Sequence, residues 1–183
     1  MNRETAWELV EKQIANANLR KHVLAVEAVM RKLAAHFGED EEQWGLAGLL
    51  HDIDYDETAK DPERHSMIGA DLLAKLGVEA DIVYAVRVHN EVHGLPRLTL
   101  LDKALHASDP LTGLITSAAL IKPEKMLCAI DAEFVMKRFN EKSFARGANR
   151  DQIRRCDELG LELDQFIAIG VEAMQEIAPN LGL

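Results

Sequence analysis

An all-α fold is what this sequence predicts, and three observations predict it. Apolar residues recur at three- and four-residue spacing along nearly the whole chain, and no run alternates with period two between turn residues. Only 5 prolines and 11 glycines punctuate 183 residues, so long helices have room to run. No repeat, low-complexity tract or linker divides the chain, and the length suits one domain, residues 1–183.

Taken in order, helices are expected at about 4–15, 19–37, 41–51, 65–76, 80–90, 99–120, 123–139, 149–159 and 162–178. In the second, Leu19, Val23, Val26, Met30, Leu33 and Phe37 form an apolar stripe, and Gly38 stands where a C-terminal glycine belongs. Asp40 is the expected N-cap of the third helix, which is apolar through Leu46–Leu50. Gly77 closes the helix whose core face is Ile68, Leu72 and Leu73. Pro123 is expected as the first helical residue of its segment, Asn149 as an N-cap, and Pro179 as the stop after the last helix. The stretch "QFIAIGVEAM" in that last helix reads as either core or an interface between copies of the chain.

Charge and composition narrow the function. The formal net charge of −10 opposes nucleic acid and anionic membrane surfaces as partners. The start, "MNRETAWELVEKQ", lacks the apolar core of a signal peptide, and no apolar run is long enough to span a bilayer. Cys128 and Cys156 lack metal or redox spacing and read as reduced, small hydrophobes. The expectation is a cytoplasmic protein.

Polar residues interrupt the core stripes in a way that calls for an explanation. His22 lies on the same side of its helix as Leu19 and Val26, His89 continues the row Ile82, Val86, and Asp109 continues the row Leu98, Leu101, Leu105. His51 ends an apolar helix and is followed at once by Asp52; His65 opens the next. Singly, each reads as a hydrogen-bonded core residue or a cap, and Asp109 before Pro110 could mark a kink. Together they would all need buried partners in one small core, and convergence on a metal centre satisfies them at once, since neutral imidazole and ionised carboxylate are the usual ligand forms.

The order His22, His51-Asp52, His65, His89, Asp109 resembles the HD-domain metal-dependent phosphohydrolases of the HDIG-like branch. "LLHDID", "ERHSMIGADLL" and "AVRVHNEVHG" carry the resemblance, which covers roughly residues 19–115; residues 120–183 would be a C-terminal helical extension. It implies a helical bundle, an enzyme, and two divalent cations. His22, His51, Asp52 and Asp109 would hold one ion, and His65 and His89 the other, with Asp52 bridging. His51 and Asp52 would then be catalytic, and the reaction would be hydrolysis of a phosphate ester or phosphoanhydride of a small molecule or nucleotide by metal-activated water. The donors are nitrogen and oxygen without thiolate, which suits iron, manganese, magnesium or nickel. The continuation "HNEVHGLP" departs from the cyclic dinucleotide phosphodiesterase branch, and Asn90 stands where some relatives have a further ligand. Two rival expectations are a di-iron oxygenase on the same fold and a non-catalytic nucleotide or metal sensor.

Other groups are candidates for supporting roles. His93 is placed to reach substrate or an outer shell, His106 to orient Asp109, and Asp54 and Asp56 read first as solvated loop acids. Residues 137–155, "KRFNEKSFARGANRDQIRR", hold seven basic residues against two acidic. Lys142, Arg146 and Arg150 around "FARGAN" are candidates for a substrate-phosphate site, with Gly147 letting backbone amides approach; a solvated helix face is the plainer reading.

Overall fold

The computed structural model describes residues 1–183. It contains eleven α-helices and no strand: α1 (Arg3–Gln13), α2 (Ala17–Phe37), α3 (Glu41–Leu50), α4 (Tyr55–Thr58), α5 (Met67–Lys75), α6 (Ala80–Val88), α7 (Leu100–Leu120), α8 (Ala132–Phe139), α9 (Arg150–Arg154), α10 (Leu163–Glu176) and α11 (Ala178–Leu181). The two longest helices, α2 and α7, pack against each other, with α3 laid along α2 and α6 and α9 along α7. The α10 helix packs against α2, α7 and α8. Its Phe166, Ile167, Val171 and Met174 are buried, so the "QFIAIGVEAM" face is core. No helix is long and apolar enough to cross a membrane.

After its polar first turn the α3 helix is apolar all round, and every residue from Trp44 to Leu50 is buried. Its N-terminus is fixed at the surface by Asp40, whose side chain accepts from the N–H groups of Glu42 and Gln43. The helix therefore drives from solvent into the core and delivers its last turn, and His51 after it, to the interior. It comes very close to α2 on the way. A Cβ on Gly48 would stand 2.9 Å from the backbone of Val26 and Glu27. Nearby, the buried Glu27 carboxylate is neutralised by Arg3 (2.6 and 2.9 Å) and Arg31 (3.0 Å).

The helices differ from the sequence expectation mainly after α7. Residues 123–139 are not one helix, and Pro123 lies in a turn rather than at a helix start. Lys125 has φ 52°, which ends the turn, and the chain then passes through a 3-10 turn at Leu127–Ala129 that buries Leu127. Gln175 donates to the carbonyls of Leu127 (3.0 Å) and Ile130 (3.0 Å), and Asp131 starts α8 by capping Phe134. This loop satisfies its backbone through a distant side chain, which periodicity does not reveal. The helix expected from residue 65 begins two residues later, because Ser66 is left-handed at φ 72°. Pro179 sits in the first turn of α11 rather than in a stop.

Pro110 lies inside α7 without ending it. Lacking an N–H, it leaves the carbonyl of His106 free, and Gln152 Nε2 donates to that carbonyl at 2.8 Å.

The Gly48 crossing gives a test. Gly48→Ala must push α3 off α2, at a cost of about 1–3 kcal/mol. A thermal melt should show a midpoint lower by about 3–10 °C; an unchanged midpoint would mean that the two helices are free to separate.

Candidate metal centre

Six side chains from five segments meet at one point. His22 comes from the second turn of α2, His51 and Asp52 follow the C-terminus of α3, His65 lies in the turn before α5, His89 follows α6, and Asp109 lies in mid-α7. All four histidines turn Nε2 inward. Asp52 Oδ2 is 3.6 Å from His22 Nε2, while its Oδ1 is 3.5 Å from His51, 3.4 Å from His65 and 3.7 Å from His89. Asp109 Oδ1 is 3.1 Å from His22 Nε2 and 3.9 Å from His51 Nε2. His51, Asp52 and His89 are buried, whereas the side chains of His22 and Asp109 are 24% and 28% exposed and form the open side.

The outer nitrogen of each ring decides what the inner one can do. His51 Nδ1 is 2.8 Å from the Gly48 carbonyl, and His89 Nδ1 is 2.6 Å from the Val86 carbonyl. Both carbonyls belong to the last turn of a helix, where they lack a helical partner. His65 Nδ1 donates to Asp54 Oδ1 (2.9 Å). His22 Nδ1 meets Thr112 Oγ1 (3.2 Å), and since that hydroxyl donates to the Asp109 carbonyl (2.9 Å), its oxygen accepts from the ring. With the hydrogen on Nδ1, each Nε2 presents a lone pair.

That arrangement leaves a deficit of positive charge at the centre. His51 Nε2 is buried with no hydrogen-bond partner, and the Nε2 atoms of His65 and His89 face each other at 3.2 Å. Burial pushes His51 down to about 4, so it is neutral at pH 7. Burial opposes ionisation of Asp52 too, but the facing histidines outweigh it and hold the carboxyl below the usual range. Asp109 is likewise lowered: burial again opposes, and His22, 3.1 Å away, outweighs it when protonated. Lone-pair nitrogens and ionised oxygens at 3–4 Å, without thiolate, are the donor set of a divalent first-row or magnesium-like cation. His22, His51 and Asp109 form one group of three donors within 4.8 Å, and His51, Asp52 and His89 a second.

A second ring of residues holds the first. Asp54 is buried, not solvated: besides His65 it accepts from the Gly69 N–H at 2.7 Å. Asp56 caps the chain before α2 by accepting from Ala15 (2.6 Å) and Asn16 (3.1 Å). His93 Nε2 donates to the His65 carbonyl at 2.8 Å and Asn90 Nδ2 to those of Pro62 (2.8 Å) and His65 (3.3 Å), so both brace the His65 turn. His106 is buried and donates to the His89 carbonyl at 2.9 Å; it supports His89, not Asp109. Thr112 was not singled out in the sequence, although it stands one turn from Asp109 on the same face.

A groove of about 280 Å³ opens beside His22 and Asp109, with Gly113 and Ser117 of α7 on one wall and Ala145 and Gly147 on the other. The "FARGAN" turn therefore borders the site. Lys142 and Arg146 are exposed and make no ion pair, but neither side chain lines the groove. Arg150 is different: all its N–H groups end on backbone carbonyls, of the α8 end and the loop after it, so it has none to offer a phosphate.

Residues 19–118 match the HD domain family. Among curated proteins, the chain is 37% identical over 98 residues to a Ribonuclease Y of Oleidesulfovibrio alaskensis, covering 52% of this chain and 18% of that one. It is 35% identical over 103 residues to the Ribonuclease Y of Lawsonia intracellularis, covering 56% and 20%. To that of Desulfotalea psychrophila it is 32% identical over 137 residues, covering 73% and 26%. The chain thus spans about a fifth to a quarter of the length of these relatives. No solved structure matches.

Protons and cations compete for the same Nε2 lone pairs. Burial disfavours charge on His22 and His89, but the facing carboxylates, Asp109 at 3.1 Å and Asp52 at 3.7 Å, outweigh it and raise both above the ordinary 6.5. They take up protons first as pH falls, while His51 waits until about 4. Cation affinity measured by competition titration should therefore start to fall above pH 6.5. A flat profile down to pH 5 would contradict this protonation order. Asp54→Asn, which weakens the anchor of His65, should cost about 10–100-fold in cation affinity with helix content unchanged by circular dichroism.

Proposed function

The chain belongs to the HD domain family, and on that premise we propose that it is a metal-dependent phosphohydrolase that cleaves phosphodiester bonds, with short oligoribonucleotides as its substrate class. One observation carries the reading: four Nε2 lone pairs, each fixed by an anchored Nδ1, surround two ionised carboxylates, and one of those nitrogens is buried without a partner. The relatives named Ribonuclease Y support RNA as the substrate. The net charge of −10 opposes long duplexes and supports short strands that reach the site at one local patch. This moves the substrate class from the phosphate ester or phosphoanhydride of a small molecule or nucleotide first expected toward nucleic acid fragments.

In this reading His22, His51, Asp52, His65, His89 and Asp109 would hold two cations, and Asp52 has one oxygen toward His22 and the other toward the remaining three histidines. Bound divalent ions polarise a phosphoryl oxygen and bring the pKa of a coordinated water toward neutrality. Asp52, ionised and central, accepts a hydrogen bond from the attacking water and orients it. His51, neutral and fully buried, keeps its lone pair for the cation across the physiological range. His22 and Asp109 are on the open side and meet the scissile phosphate first. Thr112, bonded to both His22 and the Asp109 backbone, keeps those two in register.

The test is metal content and turnover in parallel. Protein purified without chelator should carry about two divalent ions per chain, and should release product from bis(p-nitrophenyl) phosphate and from short RNA. Asp52→Ala should lose more than about a hundredfold in rate, since outer-shell partners alone carry about 10–100-fold, while its circular dichroism stays helical. A fully active Asp52→Ala protein would sink the assignment.

A further inference from the structure

Arg150 builds something that its own side chain does not touch. Its Nε donates to Phe139 O (3.3 Å), one terminal nitrogen to Ala145 O (2.8 Å) and Ala148 O (2.7 Å), and the other to Phe144 O (2.6 Å) and Arg138 O (3.4 Å). The C=O and N–H of one planar trans peptide point in opposite directions. With the carbonyls of Phe144 and Ala145 drawn to Arg150, the N–H groups of Ala145 and Arg146 are turned the other way. No protein group accepts a hydrogen bond from either. Ala145 has φ 43°, a left-handed conformation that an alanine adopts only at a cost and the kind of turn that makes successive N–H groups converge into an anion cradle.

The position of this turn gives it a partner. Ala145 and Gly147 line the groove that also contains His22 and Asp109. Arg146, which stands between them in the sequence, is exposed and pairs with no carboxylate. Asp109 is the one carboxylate in the groove, and its charge is offset by His22 at 3.1 Å.

We propose that the turn at residues 144–148 is a phosphate subsite: the N–H groups of Ala145 and Arg146, with the Arg146 guanidinium, hold a second phosphate of the substrate while its neighbour lies at the metal centre. The proposal rests on the phosphohydrolase reading and sharpens it, because it selects substrates with two phosphates over esters with one. Arg150 is a positioning residue here; Arg146 touches the substrate.

Two measurements on the full chain test it. The first needs no turnover: the magnesium-loaded protein, labelled with nitrogen-15, is titrated with inorganic phosphate. The amides of Ala145 and Arg146 should shift and saturate, and about tenfold more phosphate should be needed in Arg146→Ala, the loss of one charged hydrogen-bonding partner. Unmoved amides overturn the subsite whatever the enzyme does. The second compares KM values. Arg146→Ala should raise KM about tenfold for a 5′-phosphorylated diribonucleotide, and leave kcat and KM for bis(p-nitrophenyl) phosphate unchanged. An equal rise for both substrates overturns the second-phosphate assignment. A rise with a nucleoside diphosphate but not with the dinucleotide supports the subsite and assigns it to a nucleotide. If no phosphodiester is cleaved, the hydrolase reading fails, and the amide titration still decides the subsite.

Discussion

Two helix ends set the chemistry of this molecule. Where α3 and α6 stop, their last carbonyls have no helical donor, and in each case the next residue is a histidine whose Nδ1–H fills the gap: His51 on Gly48 and His89 on Val86. One hydrogen bond thus finishes the helix and fixes the tautomer, leaving Nε2 as a lone-pair donor. The negative ends of both helix dipoles point toward the same centre, which favours positive charge there. Asp52 sits between its histidines only because α3, after its polar first turn, is apolar on every face and runs straight into the core.

Around this pair the other donors are held by dedicated partners: Thr112 for His22, and Asp54 for His65, with His93 and Asn90 bracing the turn that carries it. The distribution of exposure follows from the elements used. Donors at helix ends are buried, whereas His22 and Asp109 lie along helix faces and open onto the groove. The centre has a closed back and one accessible side, and the turn at residues 144–148 borders that side.

Much of this was legible in the sequence. The apolar stripes place α2, α3, α6 and α7, and Asp40, Asn149 and Gly38 cap where their chemistry says they should. The six inward polar residues stood out because each interrupts a core face, and the structure brings all six together. What could not be read has a common physical cause, namely side chains whose partners are backbone groups far along the chain. Gln175 sets the loop after α7 and Arg150 the loop after α8, and neither has a periodic signature. The same cause misleads about charge. Arg150 and Arg146 look alike in a basic run, yet one is consumed by carbonyls and the other is free. Asp54 looked like a loop acid because nothing local shows that Gly69 and His65 close over it.

Pro110 bears on how such a domain is assembled. By omitting one N–H in the middle of α7 it creates an acceptor, the His106 carbonyl, which the helix cannot use, and Gln152 from the segment after α8 supplies the donor. The family match ends at residue 118, inside α7, but this bond crosses that border. His106 in turn supports His89. The C-terminal helices are therefore not an appendage that could be exchanged freely. A graft or truncation near residue 120 would strand a buried carbonyl on His106, one hydrogen bond from His89 of the candidate metal centre, and any other sequence placed there would have to bring its own donor to the same spot.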